Sequence, residues 1–259
     1  MKPLEEVVME ALECPDKELF PYMPYILQDF WELGTNPEVV ISLIEKHLKD
    51  TETLNVLDLG CGKGPVSVKI SAKLQCKCYG IDAIPEFIDF ARAKAVEYNV
   101  GGLCRFEIGD IREKVKTISG FDVIIAGSIG NVFGDFYKTL TILSRCLNHH
   151  GAIVIDHAYS NDDDDFTHPR LLTQQELLRQ ITSSKMRLVD EIVVERNSEI
   201  YEKYDMEYAQ LKNRCEELTA LYPEKSFLFN RYLELQKSEY EALKSEITCS
   251  TMFIKRASD

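Results

Sequence analysis

The chain has 259 residues and a formal net charge of -13, from 43 acidic and 30 basic side chains. Its 45% of hydrophobic residues can build one sizeable core, and 28% of charged residues is an ordinary globular value that excludes a wholly disordered chain. The acidic balance repels phosphate backbones and anionic headgroups, which argues against nucleic acid or a membrane surface as a partner.

The first 50 residues predict helices and no export signal. Glu5, Glu6 and Glu10 interrupt any apolar run that could direct export, and no later stretch reaches the ~18 apolar residues of a membrane span. We therefore expect a cytoplasmic protein. Gly34 is interpreted as the end of a first helix, and Asn36 as the N-cap of a second one.

After residue 53, short apolar runs alternate with helical patterns. The runs lie at residues 54–59, 76–81, 103–108, 121–126 and 152–155. Strands that alternate with helices require right-handed crossovers, which produce a parallel sheet covered on both faces. The runs are continuously apolar, as expected of strands that are buried on both sides. This part of the chain therefore predicts an α/β core.

The C-terminal third departs from that alternation. A strand pattern at 188–194 and a last one at 251–254 are separated by about fifty residues with helical periodicity, interrupted at Pro223. The two helical faces consist of Ile200, Tyr204, Tyr208, Leu211, Cys215, Leu218 and Tyr222, then Leu233, Tyr240, Leu243 and Ile247. A helical pair is therefore predicted between the last two strands.

These patterns divide the chain into four parts of one structural domain. Residues 1–50 form an N-terminal helical segment that could act as a lid, and residues 51–198 form the core. Residues 199–246 form the helical insertion, and residues 247–259 contribute the last core strand.

The most informative segment is a glycine-rich turn that follows the first strand. Asp58 precedes Gly60, Gly62 and Gly64, so the spacing is GxGxG rather than the GxGxxG of dinucleotide-binding folds. Glycines here allow a ligand to touch the backbone. A carboxylate beside them suits an ammonium group better than a pyrophosphate, which argues against a nicotinamide dehydrogenase.

Two further acids end the next two strands. Asp82 follows Gly62 by twenty residues and could accept hydrogen bonds from two ribose hydroxyls. Asp110 ends the third strand, where it could accept from an adenine amino group. Because parallel strands bring their carboxyl ends to one edge, the three acids form a constellation.

This set of motifs resembles the first three motifs of class I S-adenosylmethionine-dependent methyltransferases, with residues 54–160 covered well. The resemblance implies a three-layer Rossmann-like fold with a seven-stranded, mostly parallel sheet and an antiparallel last strand. It also implies S-adenosyl-L-methionine as cofactor, with methionine at the glycine loop, ribose at the second acid and adenine at the third. The cofactor-binding residues implied are Asp58, Gly60, Cys61, Gly62, Asp82, Ala83, Asp110, Ile111 and Ala126.

Candidates for the methyl acceptor's side lie at the ends of the fourth and fifth strands. Ser128 follows the fourth strand, and Asp156, His157 and Tyr159 follow the fifth. His157 could act as a general base near neutral pH, with Tyr159 beside it, or it could be a histidine that is simply hydrogen-bonded at a strand end. Methyl transfer needs mainly alignment and exclusion of water, so a catalytic residue is not required.

Two aromatic clusters bracket the core in sequence. One lies within residues 20–31, and the other consists of six tyrosines in the helical insertion. We favour a lid that the two clusters build together over the carboxyl edge of the sheet. The alternatives are amphipathic packing faces, which are compatible with a lid, and an interface with another subunit.

No metal site is predicted. Cys76 and Cys78 form a CxC pair without a second pair at zinc spacing, and the acidic run 162–165 reads as a solvated loop rather than a divalent-cation site. The eight cysteines leave an arsenite methyltransferase open only if several of them converge beside the cofactor.

The function predicted is transfer of a methyl group to a small-molecule acceptor. The alternatives are a protein or transfer RNA methyltransferase and a non-catalytic cofactor-binding regulatory module. The negative charge argues against the RNA alternative, and a filled pocket beside the methyl group would favour the regulatory one.

Overall fold

The computed structural model describes residues 2–160, 171–245 and 247–258. The strands of this part are β1 (Asn55–Leu59), β2 (Lys77–Asp82), β3 (Cys104–Ile108), β4 (Phe121–Ala126), β5 (Leu147–Ser160), β6 (Leu172–Thr173), β7 (Met186–Val193) and β8 (Thr248–Arg256). The helices are α1 (Leu4–Ala11), α2 (Met23–Ile26), α3 (Pro37–His47), α4 (Pro65–Leu74), α5 (Pro85–Glu97), α6 (Ile111–Lys114), α7 (Phe136–Leu143), α8 (Gln174–Ser183), α9 (Ser198–Leu221) and α10 (Ser226–Ser245).

All eight strands belong to one sheet, with the order β3-β2-β1-β4-β5-β8-β7 and β6 paired beside β5. Neighbours from β3 to β5 are parallel, whereas β8 runs antiparallel to both β5 and β7. The predicted seven-stranded order with an antiparallel last strand is therefore confirmed. The two-residue strand β6 is an addition, too short to leave a pattern in the sequence.

The sheet reverses its strand order between β1 and β4, which places a crevice at their carboxyl ends. Strand β5 is unusually long because its pairing with β4 ends at Ile155 while its pairing with β8 continues to Tyr159. The end of β5 therefore projects past β4 at the same edge.

Apolar side chains fill both faces of the sheet, which confirms the three layers. One face packs Leu57, Ile124 and Ile153 against helices that include α7 and α8. The other packs Val56 and Val154 against α3 and α4. Continuous apolar strands are explained by this two-sided burial.

The N-terminal segment is less helical than predicted. Asn36 caps α3 as expected, with its Oδ1 accepting from Glu38 N at 2.9 Å. The interpretation of Gly34 as a helix stop is wrong, because α2 ends at Ile26. Gly34 instead has a φ of +95°, and a Cβ there would lie 2.4 Å from Ser128 Oγ. The glycine is explained by the close approach of this segment to the loop after β4.

The helical insertion forms an antiparallel pair of helices, α9 and α10, joined by a short turn at Pro223–Lys225. Its inner face joins the N-terminal segment in one apolar cluster with Ile84 and Phe87 of the core. We call residues 19–35 together with α9 and α10 the cover. The members of this cluster from the cover are Leu19, Met23, Ile26, Leu27, Phe30, Leu211, Cys215, Leu218, Leu228, Phe229 and Tyr232.

Candidate functional site

The glycine-rich loop follows β1 and is held against the end of β2. The backbone N–H groups of Gly60 and Cys61 donate to Ile81 O at 2.8 and 3.1 Å. Gly62 N donates to Asp82 Oδ2 at 2.9 Å. These hydrogen bonds from within the protein fix the shape of the loop, which is the preorganisation that a binding loop requires.

Gly60 and Gly62 are glycines for different reasons. Both have positive φ, +68° and +52°. A Cβ on Gly60 would lie 2.6 Å from the Ile129 side chain, so its smallness serves internal packing. A Cβ on Gly62 would meet only Leu33 Cδ1, at 3.7 Å, so the space beside Gly62 is open to a ligand. Gly62 is therefore the better marker of where a ligand touches the backbone.

Asp58 lies under this loop with only 3% of its surface exposed. Its Oδ2 accepts a hydrogen bond from Ser67 Oγ at 2.6 Å. Burial is the main cause that raises the pKa of this carboxyl to about 6, with the nearby Asp82 charge adding to it. A buried carboxylate whose hydrogen-bond partner is a neutral hydroxyl fits a ligand that brings a cation, such as the ammonium group of a methionine moiety.

Asp82 has a second role besides the one predicted. Its Oδ1 accepts from Ile84 N at 2.9 Å while Oδ2 holds the Gly62 amide. The two carboxylate oxygens can accept four hydrogen bonds in all, so Asp82 keeps acceptor capacity for a ribose hydroxyl beside its backbone donors. Burial raises the pKa of Asp82, and the backbone donors oppose that rise.

The carboxylate of Asp110 accepts more hydrogen bonds from the protein than that of Asp82. It caps α6 by accepting from Arg112 N, and its two oxygens also bind the Arg112 guanidinium at 2.7 to 3.1 Å. Arg112 holds the pKa of Asp110 below its usual range. Arg112 also donates to Lys2 O at 2.8 Å, which brings the start of the chain to the end of β3.

The other predicted cofactor residues lie at the same strand ends. Cys61, Ile111 and Ala126 are buried, at 6%, 8% and 0% exposure, and Ala83 is half-buried. These residues can supply an apolar wall, and the structure brings them to the edge that carries Asp58 and Asp82.

His157 and Tyr159 point away from that constellation. Both lie with the apolar cluster of α7 and α8, and the ring of His157 is 4.6 Å from that of Phe136. Burial lowers the pKa of His157 to about 4, and its Nε2 is buried without a hydrogen-bond partner among the described residues. The hydroxyl of Tyr159 donates to Glu191 Oε1 at 3.1 Å. Their catalytic role stays a prediction.

The opposite face of β5 carries Asp156, which accepts hydrogen bonds from three hydroxyls. Thr35 Oγ1 lies at 2.5 Å, Thr251 Oγ1 at 2.6 Å and Ser128 Oγ at 3.3 Å. Alternation along the strand separates Asp156 from His157. Thr35 could not be foreseen, because nothing local in the sequence brings residue 35 to the end of β5.

Lys63 of the glycine loop is a further residue that the motif analysis missed. Lys63 is 3% exposed, and its ammonium donates to Leu27 O at 2.5 Å and Phe30 O at 2.6 Å. It also lies 5.2 Å from the ring centre of Phe90. Trp31 Nε1 returns a hydrogen bond to Lys63 O at 3.1 Å. The glycine loop and the cover are therefore joined directly.

The cysteines do not form a ligand set. Within residues 2–160, 171–245 and 247–258, no three His, Cys, Asp or Glu side chains are grouped to hold a metal ion. All eight cysteines are free, and burial raises the pKa of Cys61 and Cys104, which keeps these thiols protonated. This disfavours an arsenite acceptor. The acidic run 162–165 lies outside the described residues.

Comparison with known proteins decides the family. The model of a methyltransferase domain family matches residues 50–221. The chain belongs to this methyltransferase family. Its fold is similar to a methyltransferase from Geobacter sulfurreducens solved with S-adenosyl-L-homocysteine, with a TM-score of 0.75 and 17% identity over 91% of this chain and 98% of that one. The family and the fold agree with the methyltransferase predicted from the glycine loop and the strand-end acids.

Two curated relatives match part of the chain. Ajmaline N-methyltransferase from Rauvolfia serpentina is 27% identical over 131 residues, 50% of this chain and 45% of the relative. A protein from Oryza sativa subsp. japonica, named as a tocopherol O-methyltransferase, is 29% identical over 91 residues, 35% of this chain and 25% of that protein. The matched segment spans less than half of each relative. In the part of the methyltransferase that the structure describes, no helix is both long and apolar enough to cross a membrane.

The raised pKa of Asp58 predicts a pH dependence of cofactor affinity. Pairing with a ligand's ammonium group would lower this pKa from its value of about 6. Affinity is therefore full above pH 6 and falls as pH drops through 6, by up to about tenfold per pH unit. Calorimetry at pH 7.5, 6 and 5 measures it. Asp58→Asn should bind weakly at every pH, and affinity that rises on acidification would contradict the pairing.

Lys63→Met should loosen the cover. The change leaves Leu27 O and Phe30 O without their buried donor, and each lost hydrogen bond from a charged group costs about 1.5–3 kcal/mol. We expect a lower melting temperature and faster amide hydrogen exchange in residues 23–31. Lys73→Met, an exposed lysine of α4, is the control and should change neither. Unchanged exchange in Lys63→Met would mean that other contacts hold the cover.

Proposed function

We propose that this methyltransferase acts on a small-molecule acceptor held between the carboxyl edge of the sheet and the cover. The observation that carries the proposal is that the N-terminal segment is tied to this edge at three places. Lys63 joins it after β1, Arg112 joins it after β3, and Asp156 joins it at the end of β5. An edge covered in this way excludes water and admits a small molecule rather than a folded macromolecule.

The same residues support a place for the cofactor at this edge. Asp58 would pair with the methionine ammonium, and the loop Gly60-Cys61-Gly62 would lie along the methionine. Asp82 and Ala83 would bind the ribose, and Asp110, Ile111 and Ala126 would line the adenine and the floor. When bound, the cofactor supplies a methyl group that already carries its leaving group, so the protein's task is alignment and exclusion of water.

Charge and relatives support a small acceptor. The net charge of -13 disfavours an RNA surface. Ajmaline and tocopherol, the compounds that the relatives are named for, are small molecules. The rival proposals are a protein or transfer RNA acceptor and a module that binds the cofactor without catalysis.

Labelled cofactor separates these functions. The methyltransferase is incubated with methyl-labelled S-adenosyl-L-methionine and a cell extract divided into small-molecule, protein and RNA fractions. We expect label in the small-molecule fraction. Label only in protein or only in RNA would show that the acceptor is a protein or an RNA instead. Absence of transfer despite cofactor binding would favour the regulatory module. Gly62→Val, which should not bind cofactor, is the blank for contaminating enzymes.

A further inference from the structure

Asp156 is connected to the glycine loop through an intervening loop rather than by a direct contact. Its neighbour Ile155 is paired with Ala126, the last residue of β4, so Asp156 stands at the carboxyl edge next to the loop 127–130. Ile129 of that loop packs on Gly60 of the glycine loop. Ser128 donates to Asp156. One contiguous set of contacts therefore connects the glycine loop to Asp156.

The backbone around Ser128 is held in an uncommon conformation. Ser128 has a φ of +52°, in the left-handed region that non-glycine residues rarely adopt. Such residues persist only where their surroundings hold them, and they cluster at functional sites. Here the surroundings are Gly34 and Gly127, whose missing Cβ atoms leave room for the side chains of Ser128 and Thr35. Ser128 itself is exposed, so the cluster around Asp156 opens to solvent on this side.

The cluster around Asp156 presents hydrogen-bond acceptors, and no donors, to a ligand. Three hydroxyls, of Thr35, Ser128 and Thr251, direct their protons to Asp156. A hydroxyl that donates its single proton in this way presents only lone pairs to any other neighbour. Among the described residues, no cation makes a hydrogen bond or ion pair with Asp156. The site therefore offers hydrogen-bond acceptors and negative charge, and repels an anionic ligand.

We propose that Asp156 binds the methyl acceptor and takes a proton from it, and that the acceptor is an amine. This inference rests on the proposed function. An ammonium group matches the site in charge and in its supply of N–H donors. A carboxylate or phosphate acceptor would meet a carboxylate with no cation to offset it.

Methyl transfer to an amine involves one proton transfer and the exchange of one bond for another. The acceptor's ammonium nitrogen gives one proton to Asp156. The freed lone pair forms the bond to the methyl carbon as the carbon–sulfur bond breaks, and that bond's electron pair stays on sulfur. Burial raises the pKa of Asp156, which makes its carboxylate a stronger proton acceptor than an exposed one.

The competing explanation is that Asp156 only fastens the cover to the sheet through Thr35. The two explanations differ in what Asp156→Asn does. Asparagine keeps the size, and its carbonyl oxygen can replace Oδ2 and accept from Thr35 and Ser128. Thr251 can turn its hydroxyl to accept from the amide NH2, so the fastening is retained. It has no negative charge and takes no proton, so amine binding and methyl transfer are lost.

The test uses the labelled product of the small-molecule fraction. The product is loaded on cation and anion exchangers at pH 7, and fragmentation in the mass spectrometer locates the label. We expect retention on the cation exchanger and label on nitrogen. A neutral or anionic product, or label on oxygen or sulfur, overturns this inference and leaves the proposed function intact. No labelled small molecule at all overturns the proposed function and this inference with it.

Variants test the residue itself. Asp156→Asn should bind S-adenosyl-L-homocysteine within about threefold of wild type, whereas calorimetry should show loss of binding of the purified acceptor and turnover should fall at least about 100-fold. Asp122→Asn is the matched control, because Asp122 lies at the opposite end of β4, where it accepts from Asn55 N and Asn148 Nδ2. It should bind and turn over the acceptor normally.

A less disruptive change covers the case in which Asp156→Asn is poorly folded. Ser128→Ala removes one exposed oxygen of the cluster and should raise KM for the acceptor about tenfold, with cofactor affinity unchanged. Normal acceptor binding and turnover in well-folded Asp156→Asn, or an unchanged KM in Ser128→Ala, overturns the assignment.

Discussion

Gly62→Val should abolish cofactor binding while most of the fold remains. The added side chain would project from a backbone with φ of +52° into space where only Leu33 lies within 4 Å. The left-handed conformation costs a β-branched residue about 1–2 kcal/mol, which this core can tolerate. The cofactor, however, loses its approach to the backbone. We expect affinity to fall more than about 100-fold in calorimetry.

Two other glycines are compared with Gly62, and Gly120 is the control. Gly120→Val also places a β-branched residue at a positive φ, +92°, before β4 at the opposite edge, and should bind the cofactor normally. Gly60→Ala should lose both stability and binding, because its Cβ would lie 2.6 Å from Ile129 Cγ2. If Gly62→Val bound the cofactor as wild type does, the loop would lie away from the ligand.

Replacing α9 and α10, residues 198–245, with a short turn should remove methyl transfer. The core strands can be joined without it, because Val194 N already donates to Cys249 O, as at the base of a hairpin. The N-terminal part of the cover would lose the partners of its buried side chains, among them Phe229, which is fully buried. We expect a lower melting temperature, retained but weaker cofactor binding, and turnover reduced more than about 100-fold as water enters the site.

Hydrogen exchange distinguishes a lid from an interface. In the truncated protein, amides of residues 19–30 should exchange faster, because the cover protects them. Leu235→Ser, a change at an exposed position of α10, is the matched control and should leave exchange and turnover unchanged. Normal turnover in the truncated protein, with only its oligomeric state altered, would show that the insertion is a homodimer interface.

The motifs predicted the core well because their signals are local. A buried strand, a glycine turn and an acid at the next strand end are each encoded within a few residues, and the sheet order follows from right-handed crossovers. Asn36 identified the start of α3 for the same reason. The division of the chain into a lid, core and insertion stays a prediction, although the packing of α9 and α10 on the N-terminal segment agrees with it.

Long-range contacts could not be foreseen. Lys63 is separated from the carbonyls that it binds by 33 and 36 residues, and its burial depends on the path of the whole N-terminal segment. The interpretation of Gly34 was wrong because a glycine can either end a helix or allow a close approach of two segments. Here it allows the approach to Ser128, which lies 94 positions away in the sequence. Asp110 forms an ion pair with Arg112, two positions further along the chain. Arg112 therefore competes with a ligand for this carboxylate, and the motif gives no sign of that competition.

A crystal structure of the protein with S-adenosyl-L-homocysteine tests the account most directly. The methionine part should lie along Gly60–Gly62 with its ammonium at Asp58, and the ribose hydroxyls should be within hydrogen-bond distance of Asp82. The sulfur should face the loop 127–130, with Asp156 beyond it and the cover closed above. A ligand bound elsewhere, or one whose sulfur faces away from the end of β5, would contradict the account.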